Sequence, residues 1–140
     1  MRFWDTSAII PLLLDEPSSP QTRELADDGT ELAVWWATIV ECIAAIARRE
    51  THGELDADQV SVARTTLSAL VLRWTEIPPT DRIRRTAQRM VTFHEIRTAD
   101  AFQLAAAMAA SDEDPETVAV VTLDERLALA ARREGFRVLP

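Results

Sequence analysis

The chain of 140 residues contains no lysine, because all 15 of its basic residues are arginine. This absence excludes Schiff-base chemistry, the phosphate-binding P-loop and every other mechanism that needs a lysine. A single cysteine, Cys42, excludes an internal disulfide and favours a reducing cytoplasm. No apolar run approaches the roughly 20 residues of a membrane helix, and Asp5 interrupts the first apolar run too early for a signal peptide.

The composition is that of one globular domain spanning residues 1–140, with 47% hydrophobic and 27% charged residues. The net charge is −8, which argues against broad electrostatic binding to nucleic acid. Acidic residues concentrated at one site would still be compatible with a nucleic-acid substrate if a cation neutralised them. The chain shows no internal repeat, low-complexity tract or linker.

Short apolar segments alternate with helical patterns along the whole chain. The predicted strands are Phe3-Trp4 and the ranges 31–37, 74–77, 117–122 and 136–139, and the longer stretches between them have helical periodicity. The run TVAVVT at 117–122 is typical of a strand buried on both faces of a parallel sheet. We therefore predict an α/β protein, a three-layer α/β/α sandwich with a mostly parallel central sheet.

Four acidic residues occupy similar places in this pattern. Asp5 and Asp124 each follow a predicted strand, and Glu41 and Asp100 each lie in the first turn of a predicted helix. In a parallel sheet the carboxyl ends of strands and the starts of the following helices share the edge where ligands bind. Four carboxylates would repel one another there, and a divalent cation would offset that repulsion. Oxygen-only ligands of this kind suit Mg²⁺ or Mn²⁺.

Each acid except Asp5 also has a purely structural interpretation. Glu41 follows Thr38 at the spacing of a capping box, so its carboxylate would only satisfy backbone donors. Asp100 would favour the dipole of its helix, and Asp124 would be the N-cap of the last helix. Asp5 has no other evident role, and the set of four is harder to ascribe to capping than any single member.

Four short motifs around these acids resemble those of the PIN-domain family, in particular the small VapC-type toxin ribonucleases of bacterial toxin–antitoxin pairs. They are Asp5-Thr6-Ser7-Ala8, Glu41-Cys42, the segment RTADAFQLA at 97–105, and Val121-Thr122-Leu123-Asp124, which is followed by Arg126-Leu127 and Gly135-Phe136. Each motif alone is a weak signal, whereas all four in this order, across the whole chain, are specific.

The resemblance implies an α/β/α sandwich that cleaves single-stranded RNA with Mg²⁺ or Mn²⁺ and is inhibited by a cognate, VapB-like antitoxin. By position, Asp5, Glu41, Asp100 and Asp124 match the acidic quartet of the family. The metal is then expected on Asp5, Asp100 and Asp124, with Glu41 as a further ligand or base. The supporting hydroxyls match Thr6, Ser7 and Thr122. The resemblance also implies a cytoplasmic homodimer.

Several other residues have competing interpretations. Arg97 directly precedes the third motif and is the best candidate for binding RNA, whereas the remaining arginines between 81 and 99 favour a solvated helix face. Trp35 and Trp36 would stack on bases or, as their strand context favours, pack in the core. His52 and His94 have no partner at the spacing of a zinc site.

Two other functions fit parts of the sequence. Aspartyl phosphotransfer on a similar sheet needs an aspartate after a strand, which Asp5 supplies, but it also needs a lysine that is absent and, in phosphatases, a second aspartate where Ser7 stands. A non-catalytic PIN-like module that acts only by binding a protein partner is the main alternative. Such a module has no need of Mg²⁺, so metal binding separates it from an enzyme.

Overall fold

Five short strands alternate with helices in the computed structural model, which describes all residues, 1–140. The strands are β1 (Arg2–Trp4), β2 (Leu32–Trp35), β3 (Thr75–Ile77), β4 (Ala119–Val121) and β5 (Arg137–Leu139). The helices are α1 (Thr6–Leu13), α2 (Ser19–Asp27), α3 (Thr38–Thr51), α4 (Ala57–Val71), α5 (Asp81–Phe93), α6 (Thr98–Ala110) and α7 (Glu125–Arg133).

The strands form one sheet in the order β3-β2-β1-β4-β5, and every neighbouring pair is parallel. The chain moves outward from β1 to β3 and then returns to the other side of β1 to add β4 and β5. The strand order therefore reverses between β1 and β4. In sheets of this kind the carboxyl ends of the strands at such a reversal form the ligand-binding crevice.

Successive strand residues face opposite sides of the sheet, which builds a separate core on each side. Phe3 and Val120 pack with α5, α6 and α7, whereas Trp4, Val34 and Val121 pack with α1, α3 and α4. Burial of each large side chain contributes roughly 1.5–3 kcal/mol. The three-layer, parallel α/β prediction is thus confirmed.

The structure corrects the extent of some strands and the role of one tryptophan. Four strands are shorter than predicted, and the largest differences arise because Thr117 ends a 3₁₀ turn and Ala37 is the N-cap of α3. Trp35 is buried and stacks on Phe102 at a ring separation of 5.7 Å. Trp36 was predicted to pack in the core, but it lies beyond the end of β2 and is 52% exposed. No helix combines the length and hydrophobicity that a membrane crossing requires.

Candidate metal and active site

The crevice at the strand reversal begins with Asp5, which directly follows β1 and caps α1. Its Oδ2 accepts hydrogen bonds from the Ser7 amide at 3.1 Å, the Ser7 hydroxyl at 2.5 Å and the Thr122 hydroxyl at 3.0 Å. Burial raises the pKa of Asp5 to about 6, although these hydrogen bonds lower it and the charge of Glu41 raises it further. The buried carboxyl group has hydrogen-bond donors but no arginine or histidine as an ion-pair partner.

Thr122 connects Asp5 to the next acid along the edge. Its hydroxyl donates to Asp5 Oδ2 and accepts a hydrogen bond from the backbone N–H of Asp124 at 3.1 Å. Ser7 also joins the two segments, since its hydroxyl oxygen accepts a hydrogen bond from the Leu123 amide at 2.9 Å. Ser7 and Thr122 therefore hold the end of β1 against the end of β4, as supporting residues of the first acid.

Glu41 projects from the first turn of α3 and is bound from two sides. The Thr6 hydroxyl donates to its Oε2, and the side-chain amide of Gln103 donates to the same oxygen at 2.9 Å. Gln103 Nε2 also lies 2.9 Å from Thr6 Oγ1 and 3.3 Å from Thr38 Oγ1. One polar network thus joins α1 and α3, from one helix layer, to α6, from the other.

Asp100 and Asp124 stand at the starts of α6 and α7. Asp100 Oδ2 accepts a hydrogen bond from the Arg97 amide at 3.2 Å, and Asp124 Oδ1 accepts from the Arg126 and Leu127 amides at 2.8 and 2.9 Å. Burial raises the pKa of Asp100, and the nearby charge of Asp124 adds to this effect, while the Arg97 amide and the arginine charges oppose it. Asp124 is therefore close enough for its charge to raise the pKa of Asp100.

The four carboxylates share one property. Each of them accepts all of its hydrogen bonds on a single oxygen, which leaves the other oxygen free. None of them forms an ion pair with an arginine or histidine. They are arranged as two interacting pairs, Asp5 with Glu41 and Asp100 with Asp124. No three acidic, histidine or cysteine side chains lie close enough together to ligate one ion.

The structural interpretations of these acids have different outcomes. The predicted capping box of Thr38 and Glu41 does not form, because Ala37 is the N-cap of α3. Glu41 instead accepts hydrogen bonds from Thr6 and Gln103. Asp124 is the N-cap of α7, as predicted, whereas Asp5, for which no structural role was predicted, is the N-cap of α1. Asp100 supports the start of α6 through the Arg97 amide. Capping uses only one oxygen of Asp100 and Asp124, so it leaves the second one available for a ligand.

Two polar clusters were not predicted from the sequence. Gln103 is fully buried in an alanine-rich helix, and its only sequence signal is its position three residues after Asp100, on the same face of α6. His94 Nε2 lies 2.7 Å from Glu134, which Arg89 binds with both of its terminal nitrogens at 2.8 and 3.0 Å. These partners are 40 or more positions apart, so no local motif reveals them.

A cavity of about 500 Å³ is lined by Arg97 and Arg126, whose amides bind Asp100 and Asp124, and we call it the arginine cavity. Its wall includes His94, Arg97, Arg126, Leu129, Ala130 and Arg133. A second groove, of about 690 Å³, borders Thr6, Ser7 and Glu41 on the other side of the acids. All four arginines of α5 are exposed, in agreement with the solvated-face interpretation, and three of them form ion pairs with acidic side chains: Arg82, Arg84 and Arg89.

Fold and site together define an α/β protein with four acids at the carboxyl edge of its parallel sheet, none of them paired with a basic side chain. A family model for the PIN domain matches residues 2–133, so the chain belongs to the PIN-domain family, as its motifs predicted. No curated protein matches the chain.

Solved structures with a similar fold include FitAcB from Neisseria gonorrhoeae, with a TM-score of 0.70 and 18% identity over 100% of this chain and 97% of that one. Another is VapBC2 from Rickettsia felis bound to a DNA fragment from their promoter, with a TM-score of 0.66 and 12% identity over 99% of this chain and 96% of that one. FitAB bound to the IR36 DNA fragment has a TM-score of 0.69 and 18% identity over 99% of this chain and 94% of that one. At these identities the similarity concerns the fold.

Proposed function

We propose that this protein is a Mg²⁺- or Mn²⁺-dependent endoribonuclease, the toxin of a toxin–antitoxin pair. The observation that carries the proposal is the set of four carboxylates at the strand reversal, each with a free oxygen and none with an ion-pair partner. Four unpaired acids near one another are costly to maintain for stability alone, since like charges raise the free energy of the folded state. A ligand of opposite charge explains why they are tolerated.

The donor set fits a hard divalent cation. Asp5, Asp100 and Asp124 would hold it through their free oxygens, and the absence of nearby thiolate or imidazole donors disfavours zinc. The only close cysteine, Cys42, is buried beside Glu41, and burial raises the pKa of its thiol to about 12. Because the carboxylates repel one another, we expect them to move closer together when a cation binds. Mg²⁺ or Mn²⁺ would keep several waters in such a site.

A bound divalent cation stabilises charge on a phosphodiester in the transition state and lowers the pKa of an attacking water. The residues of this chain have narrower tasks. Ser7 and Thr122 fix the rotamer of Asp5, while Thr6 and Gln103 fix that of Glu41. Glu41 then serves as a further ligand or as the base that takes the proton of the water. In hydrolysis the water oxygen would form a bond to phosphorus as the bond between phosphorus and the 3′ oxygen breaks, which leaves a 5′-phosphate and a 3′-hydroxyl that has taken up a proton.

The resemblance to VapC-type toxins supports single-stranded RNA as the substrate and a VapB-like antitoxin as the partner. The similar solved structures VapBC2 and FitAB agree with this proposal, because their names indicate assemblies of more than one protein. We also propose a homodimer, which the same resemblance implies. An antitoxin that places a basic side chain among the four carboxylates would imitate the cation and block the site.

The experiment is cleavage of total cellular RNA by the purified protein with Mg²⁺, with Mn²⁺ and with EDTA. Asp100→Asn is the test variant, and Asp27→Asn, at an exposed position on α2, is the matched control. We expect discrete cuts that disappear in EDTA and in Asp100→Asn but persist in Asp27→Asn. An Asp100→Asn variant that cleaves as fast as wild type would refute the site. A protein that neither cuts RNA nor binds metal would instead be the non-catalytic binding module.

A further inference from the structure

The arginine cavity is built mainly from one face of α7. Arg126, Leu129, Ala130 and Arg133 follow one another at helical spacing, so the two arginines stand two turns apart on the same face. Arg97 contributes a third guanidinium from the start of α6. The volume of about 500 Å³ is within the range of sites that bind small molecules or parts of larger ligands.

The charge of this cavity contrasts with that of the whole protein. The chain carries a net charge of −8, yet three arginines line one cavity in which Glu95 is the only carboxylate. None of these three arginines forms an ion pair, whereas Arg82, Arg84 and Arg89 on α5 all do. His94 also lines the cavity, and its buried Nδ1 has no hydrogen-bond partner. The cavity is therefore suited to an anion.

The cavity is joined to the acidic site through the backbone. The Arg97 amide donates to Asp100 Oδ2 at 3.2 Å, and the Arg126 amide donates to Asp124 Oδ1 at 2.8 Å. The same two residues thus hold the acids with their amides and line the cavity with their side chains. The cavity and these two acids therefore share the starts of α6 and α7.

We propose that the arginine cavity binds a backbone phosphate of the substrate strand, next to the phosphate that is cleaved. This inference rests on the proposed ribonuclease function. A guanidinium binds phosphate oxygens in a bidentate manner, which fixes position as well as adding affinity. The four carboxylates repel the phosphates of an RNA strand. In this acidic protein, such a subsite supplies an attraction that offsets the repulsion. It also sets which phosphate reaches the acids.

The test is a binding measurement that does not depend on cleavage. A fluorescent single-stranded oligoribonucleotide is titrated with protein in Ca²⁺, and a gel verifies that it stays intact. A series of strands, each carrying one uncharged methylphosphonate in place of a phosphate, is compared in wild type and in Arg126→Gln/Arg133→Gln. Arg64→Gln, an exposed and unpaired arginine on α4, is the matched control.

We expect one or two methylphosphonate positions to weaken wild-type binding about tenfold, the value of a hydrogen-bonded charged contact. The double arginine variant should weaken binding of the unmodified strand by at least as much, and it should no longer distinguish those positions. For this variant, the slope of the logarithm of the binding constant against the logarithm of the salt concentration should be shallower by about 0.7 for each phosphate that it no longer binds. Arg64→Gln should behave as wild type, and all variants should keep their melting temperature.

Two results would overturn the inference in different ways. If wild type cleaves RNA but the arginine variant binds every strand as wild type does, the cavity binds no phosphate and the proposed function stands. If wild type neither binds nor cleaves RNA, both proposals fail together. Unchanged RNA binding combined with loss of binding to a protein partner would assign the cavity to that partner instead.

Discussion

The side-chain amide of Gln103 donates a hydrogen bond to Glu41 Oε2 over 2.9 Å. The bond joins α6 to α3, although the two residues are 62 positions apart in the sequence. The same nitrogen lies 2.9 Å from Thr6 Oγ1, and solvent does not reach it because Gln103 is fully buried. Gln103 therefore sets the orientation of Glu41 in the proposed active site. Buried donors of this kind also determine how the helices pack.

We predict that Gln103→Met, which keeps the length of the side chain but removes the donor, lowers the free energy of unfolding by about 1–3 kcal/mol. The loss arises because Glu41 and Thr6 lose the hydrogen bonds from the buried Gln103 amide. Urea denaturation measures the change, and Gln88→Met at an exposed position on α5 is the control. Equal stability of Gln103→Met and wild type would show that the network contributes nothing.

The second prediction concerns the dependence of stability on pH. Burial raises the folded-state pKa of Asp5 to about 6, whereas the unfolded chain titrates near 3.8. The protonated form is favoured by folding, so this contribution is fully present below pH 3.8 and is lost as pH rises through 6. Without divalent cation, Asp5→Asn should therefore be more stable than wild type at pH 8, by about 2–3 kcal/mol, and equally stable near pH 4.

Thermal unfolding at both pH values, with and without Mg²⁺, measures this effect. Saturating Mg²⁺ should stabilise wild type at pH 8 and stabilise Asp5→Asn less, because the variant binds the cation more weakly with its three remaining carboxylates. A wild-type protein that is more stable than Asp5→Asn at pH 8 in EDTA would contradict the assignment of Asp5 as a buried, unbalanced charge.

The third prediction concerns the Thr122 hydroxyl, which joins the end of β4 to Asp5 at the end of β1. Thr122→Val keeps the shape of the side chain and removes a donor that lowers the pKa of Asp5. The pKa of Asp5, followed by carbon NMR of its carboxyl group, should rise above its wild-type value of about 6. Thr66→Val on α4 is the control, since its hydroxyl binds only a backbone carbonyl. A pKa that stays constant in Thr122→Val would exclude this hydrogen bond.

The fourth prediction concerns Glu134, which binds both Arg89 and His94. Hydrogen bonds from Arg89 hold the pKa of Glu134 below its usual value, so its stabilising effect is present above pH 4.5 and is lost as pH falls. Because Arg89 is partly exposed, Glu134→Gln should cost only about 1 kcal/mol at pH 7. Guanidinium denaturation at pH 7 and pH 3 measures the difference in unfolding free energy between wild type and Glu134→Gln. A larger difference at pH 3 than at pH 7 would be inconsistent with a stabilising ion pair at Glu134.

Much of the architecture was predictable from local patterns. The β-branched run that contains β4 and the alternation of strands with helices determine a parallel three-layer sheet. Asp56 and Thr80 cap α4 and α5 as local capping signals indicate. The reversal of strand order was not predictable from periodicity, because it depends on which helix layer covers each sheet face.

The candidate site was predictable in position but not in detail. Asp5 and Asp124 follow strands, and that rule alone brings them to the same edge. The role of Glu41 was ambiguous because Thr38 imitates a capping box, and only the tertiary contact with Gln103 resolves it. Trp36 has the composition of a core residue but falls one position beyond its strand. Contacts between distant segments decide such cases, and a single sequence does not encode them in any local pattern.

Cation binding by the four carboxylates is measured most directly by titrating Mn²⁺ into the metal-free protein and following the electron paramagnetic resonance signal of the free ion. We predict saturable binding by wild type and by Asp27→Asn, at least tenfold weaker binding by Asp5→Asn and Asp124→Asn, and competition by Mg²⁺. Wild-type protein that leaves the free Mn²⁺ signal unchanged, or aspartate variants that bind as wild type does, would contradict the proposal that these four carboxylates form a cation site.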